Sequence, residues 1–135
     1  MIKPMLAHKY DDKRVDWSQP VYIQPKLDGV RCVFTKDGAF SRTGKQFKNV
    51  AHIELALLSF FKHSPDVILD GDLYNHKLKH DFENIISLVR KQKPTADDRL
   101  DAQHLVQFHV YDYISAPVYD SYKTRMQNLV TSDIY

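Results

Sequence analysis

The chain has 135 residues, 43% of them hydrophobic and 27% charged, and a net charge of +2. That length supports one domain with a modest core, and the composition argues against a disordered chain or a membrane-spanning one. The single cysteine, Cys32, excludes an internal disulfide, and the opening Met1-Ile2-Lys3 lacks a secretory core, so a cytoplasmic protein is expected.

Charge is unevenly spread: residues 1–50 hold ten Lys/Arg against five Asp/Glu, the rest nine against twelve. A basic front half suits phosphate binding, although a solvated surface has the same look.

In chain order, Gln19 to Pro25 reads as extended, because Pro25 biases Gln24 away from helix. Val30 to Lys36 alternates Val30, Cys32 and Phe34 with Arg31, Val33 and Thr35, the period of a strand, which makes Cys32 a buried packing residue. Lys36-Asp37-Gly38 turns the chain into Ala39 to Arg42, and these three segments are expected to form an antiparallel meander. Asn49 to Lys62 carries Val50, Ile53, Leu57, Phe60 and Phe61 at helical spacing and is stopped by Pro65.

Val67 to Tyr74 reads as a strand with Asp70 and Asp72 on one face. Two carboxylates there suit Mg²⁺, or simply a solvent-facing edge. Asp81 is expected to cap a helix through Arg90, with Phe82, Ile85, Ile86 and Val89 inward, and Lys93 to Asp98 to form a polar loop. Leu105 to Ile114 alternates Val106, Phe108 and Val110 with Gln107, His109 and Tyr111, so Tyr111 points away from the aliphatic face. Asp120 to Val130 reads as a helix whose Arg125 either braces the sheet or contacts phosphate. His76 and His80 have a zinc-like spacing, but no catalytic glutamate follows His76, and surface histidines are expected.

The densest chemistry lies in Lys26-Leu27-Asp28-Gly29-Val30-Arg31. A lysine amine attacks phosphorus only when neutral, and neighbouring positive charge, from Arg31 or a metal, favours that form. Asp28 can orient the amine, Gly29 lets the chain turn where a nucleotide approaches, and Arg31 offers a donor fork for phosphate or ribose oxygens. Asp28-Gly29 between apolar runs is also a hairpin signal.

Compatible segments follow in order: Ser41-Arg42-Thr43-Gly44, Leu69-Asp70-Gly71-Asp72-Leu73 and Val110-Tyr111-Asp112. Together they resemble the ATP-dependent DNA ligases of the covalent nucleotidyltransferase superfamily. Lys3-Pro4-Met5-Leu6-Ala7 and the run from Asp70 to His76 are similar to small viral and bacteriophage ligases.

The resemblance implies an α+β fold, with antiparallel sheets flanked by helices, in an incomplete ATP-grasp-like adenylation domain with a nucleotide cleft. Lys26 would attack the α-phosphate of ATP, helped by Asp28 and by Mg²⁺ held at Asp72. Gln24 would read adenine, Tyr111 would stack on it, and Arg31 with Asp72 would hold the ribose. Ser41 and Arg42 would engage the phosphate of nicked duplex DNA, in replication, repair or recombination, in a monomer of the cytoplasm of bacterial or phage-infected cells.

Two positions depart from the family pattern. Gln24 stands where glutamate is common, and Asp72 ends the third motif one methylene short of glutamate. The later D-G-x-V-x-K segment, the final K-x-K pair and the OB-fold do not occur before Tyr135, so residues 1–135 are expected to be the N-terminal portion of an adenylation domain. The alternatives are an RNA ligase, a capping guanylyltransferase, or a non-catalytic nucleotide- or DNA-binding remnant.

Overall fold

The structure, a computed structural model, describes residues 3–115 and 120–132; Met1, Ile2 and the terminal Tyr135 lie outside them. Four strands form one antiparallel sheet: β1 (Val30–Thr35), β2 (Gly38–Phe40), β3 (Ile68–Tyr74) and β4 (Gln107–Ile114), in the order β2-β1-β3-β4. Four helices accompany it: α1 (Ala51–His63), α2 (Phe82–Val89), α3 (Ala96–Leu105) and α4 (Tyr122–Thr131).

Alternation along the strands decides what each face does. Cys32 and Phe34 of β1, Leu69 and Leu73 of β3, and Phe108 and Val110 of β4 point to one side. There they meet Ile53, Leu57 and Phe61 of α1, spaced four apart, with Ile85, Leu88 and Val89 of α2 and Ala102 of α3. Burying each large apolar side chain contributes roughly 1.5–3 kcal/mol, so this face holds the domain together. Asn49 ties the helices at their ends: its buried amide donates to the carbonyls of Leu88 (3.0 Å) and Asp98 (3.2 Å).

Three expectations are corrected. Gln19 to Pro25 joins no ladder, because both edges of β1 are occupied, one by β2 and one by β3. The described residues contain one sheet rather than several, with α1, α2 and α3 on a single face. Lys93 to Asp98 is not wholly a loop: Thr95 caps α3 by accepting from the Asp98 N–H, and Asp98 accepts from the Thr95 N–H in return. Among the described residues no helix is long and apolar enough to cross a membrane.

Candidate active site

The other face of the sheet carries the polar residues of the strands. A cleft of ≈ 760 Å³ opens over it, walled by the segment around Pro4, by Gln24, Lys26, Gly29 and Arg31, by Asp70 and Asp72 of β3, by Tyr111 and Asp112 of β4, and by Arg125 of α4. Its size falls in the range typical of small-ligand sites.

Lys26 lines the cleft and Asp28 does not; their side chains are 91% and 79% exposed, with Nζ 3.9 Å from Oδ1. So loose a pair in open solvent leaves both groups available to a ligand. The hairpin reading of Asp28-Gly29 is overturned, because Val30 pairs with Leu73 of β3 and not with the residues before the glycine. Gly29 is needed for the packing of the sheet. A Cβ there would sit 2.7 Å from the Leu73 carbonyl oxygen and 2.8 Å from the Asp72 Cβ, so β3 packs against the glycine, which also lines the cleft.

Arg31 reaches across to β3, where Nε and Nη2 grip Oδ1 and Oδ2 of Asp70 at 2.7 and 2.6 Å. That bond holds the guanidinium pKa up, and the two charges largely cancel. Two of the three guanidinium nitrogens are therefore engaged, and Arg31 also lies over the Tyr111 ring, 5.2 Å from its centroid. The alternative of a solvent-facing edge is overturned, because β3 is an interior strand and both residues are buried; of the two carboxylates, Asp70 has both oxygens on Arg31. Asp72 stays open to the cleft. Burial pushes its carboxyl pKa up, opposed by Arg31, with Asp70 adding to the rise and Lys26 reducing it.

A β-bulge sets Tyr111. The ladder pairs Asp70 with Asp112 and Gly71 with Val110, skipping Tyr111. The extra residue brings Tyr111 and Asp112 to the same side of the sheet, and both line the cleft. Burial, then the carboxylates of Asp70 and Asp72, raise the Tyr111 phenol well above its ordinary value, so it stays protonated. Gln24 joins from across the cleft: Nε2 donates to the Tyr111 carbonyl at 3.0 Å, which turns the amide oxygen away from that bond.

Two solved structures are similar to this chain. Pmar-Lig_Pre is 26% identical with a TM-score of 0.55, over 78% of this chain and 25% of its own. A structure from work on DNA binding with a minimal scaffold in Lig E DNA ligases is 22% identical with a TM-score of 0.57, over 79% and 36% respectively. The shared fold is that of part of a DNA ligase. No family model and no curated protein matches the chain, which spans between a quarter and about a third of the length of these two solved chains.

Within this ligase-like fold, Ser41 and Arg42 do not line the cleft. Ser41 closes a turn with Lys45, its N–H donating to the Lys45 carbonyl at 2.7 Å and its Oγ accepting from the Lys45 N–H at 3.0 Å. Arg42 donates through Nε to the Pro4 carbonyl at 3.0 Å. Arg125 is a brace: Nε and Nη2 hold Asp112 at 2.7 and 3.2 Å, while Nη1 donates to the Asp120 carbonyl at 2.8 Å. Sequence reasoning missed the Arg125–Asp112 pair because the bulge that turns Asp112 into the cleft leaves no mark in the alternation. Cys32 is fully buried, which pushes its thiol pKa far up and keeps it out of any nucleophilic role. His76 accepts or donates at the Tyr74 hydroxyl, 3.0 Å away, and among the described residues no three metal-ligating side chains are grouped.

Proposed function

We propose that this chain is the nucleotide-binding part of an ATP-dependent DNA ligase, in which Lys26 takes AMP from ATP. The observation that supports this most is convergence: Gln24, Lys26, Arg31, Asp72 and Tyr111, drawn from three separate stretches of chain, line one cleft. In the proposed step the Lys26 amine, once neutral, bonds to the α-phosphorus. The bond from that phosphorus to the bridging oxygen breaks, pyrophosphate leaves with the electron pair, and the amine proton passes to solvent.

The Gln24 amide oxygen would accept from the adenine amino group, and Tyr111 would offer its ring to the base. Mg²⁺ fits Asp72 as a single protein ligand, since this ion commonly binds through one or two carboxylates plus substrate phosphates; bound there, it would neutralise phosphate charge. Transfer of AMP to the 5′-phosphate of nicked DNA is the later part of the same reading.

Incubation with α-labelled ATP and Mg²⁺ should leave label on the denatured chain, labile to acid as a P–N bond is, and absent from Lys26→Ala. A second reading, reversible nucleotide binding without chemistry, is favoured by the Arg31–Asp70 pair, which cancels a cation that would otherwise help free the amine. Binding of ATP with no adduct at any Mg²⁺ concentration would decide for it.

A further inference from the structure

The charges around the cleft do not all cancel. Arg31 is matched by Asp70 and Arg125 by Asp112, each through two nitrogen–oxygen contacts. Of the other charged side chains lining the cleft, Asp72 is buried, Lys26 has only the loose 3.9 Å contact with Asp28, and Lys3 is a further cation. Among the described residues no carboxylate lies within ion-pair distance of Lys3.

Lys3 begins a stretch without helix or strand, and that stretch is nevertheless pinned. Arg42 donates to the Pro4 carbonyl at 3.0 Å and Arg31 Nη2 donates to the Met5 carbonyl at 3.4 Å. Pro4 is buried, whereas Lys3 and Met5 are exposed. The two arginines thus hold the backbone beside Lys3 in place, and Lys3 itself lines the cleft. A cation without an ion-pair partner, lining the same cleft as Lys26, is what a chain of phosphates recruits.

We infer that Lys3 is a phosphate-binding residue of the cleft and that Arg42 positions it through the Pro4 carbonyl. This rests on the function proposed above for the identity of the ligand, the phosphates of a nucleotide seated beside Lys26. The backbone of duplex DNA is the other source of the same chemistry. Arg42 is then a positioning residue acting on the cleft from behind its wall.

Calorimetric titration of the chain with ATP, AMP, adenosine and a nicked duplex tests this. Lys3→Ala is expected to weaken ATP binding roughly tenfold, about 1.4 kcal/mol, and to leave adenosine unchanged. Lys3→Arg should keep most of the ATP affinity. Arg42→Ala should reproduce the Lys3→Ala pattern, and the double variant should lose little more than either single one, because both changes remove one contact. A merely structural role for Arg42 would lower adenosine binding too. A loss confined to the nicked duplex keeps Lys3 a phosphate contact and assigns the phosphate to DNA. Unchanged affinity of Lys3→Ala for both ATP and duplex overturns the inference alone, whereas a wild-type chain that binds neither ATP nor adenosine overturns the functional reading beneath it.

Discussion

Asp70 and Asp72 stand two residues apart on one face of β3, yet they meet different surroundings. Arg31 covers both oxygens of Asp70, whereas Asp72 is buried with its carboxyl pKa raised, so its ionised form is a net cost to the fold. The sign follows from linkage. A raised folded pKa means the folded state holds the proton longer, so stability is highest below the ordinary carboxylate value and falls as pH rises through the folded one. Asp72→Asn cannot ionise and should therefore melt higher than wild type at neutral pH, with the gap closing on acidification. The same substitution should lower the yield of labelled adduct at least tenfold if Asp72 serves phosphate chemistry. A variant that melts lower at neutral pH would mean that the carboxylate has a stabilising partner. Gln24 illustrates the same dependence on surroundings: with its amide nitrogen on the Tyr111 carbonyl, it presents an acceptor to the cleft much as a glutamate would.

β4 owes the placement of Tyr111 and Asp112 to an irregularity. Gly71 faces the bulge, and a Cβ on it would drive into the His109 carbonyl, which is backbone and cannot swing aside. Gly71→Ala should cost about 3 kcal/mol or more, read as a lower urea midpoint at unchanged slope. A loss well under 1 kcal/mol would show that β4 can slide, and that the Tyr111 position is not fixed by the glycine. The strands were legible because their apolar residues alternate, and α1 because Ile53, Leu57 and Phe61 repeat every four residues. α3 was not, since Ala102 is the one buried residue in its ten and a thin apolar face has no period to detect. Its start did carry a signal, a threonine followed three residues later by an acid, though with Asp98 in place of the usual glutamate or glutamine. The cleft residues Lys26, Asp72 and Tyr111 could be picked out from local patterns. The pairing of Arg31 with Asp70 could not, because it joins two motifs 39 residues apart through a register that only the sheet defines.

At the scale of the molecule, stability is concentrated on one side of the sheet. Three helices and the strand side chains make the core, whereas residues 8–29 hold only a short 3-10 turn at Asp12–Arg14 and expose Trp17, Tyr22 and Ile23. Native-state hydrogen exchange should follow this division: amides of β1 and β3 should exchange on the order of a thousandfold more slowly than those of residues 8–28. Comparable protection in both regions would mean that the front segment is held by contacts beyond its own.

The Gln24–Tyr111 bond spans 87 positions of sequence. The two walls it joins are strangers along the chain and become neighbours only when β4 has docked, so a partly collapsed polypeptide offers a nucleoside nowhere to sit. A compound that fits the cleft would therefore bind the folded chain in preference to the unfolded one and raise its melting temperature.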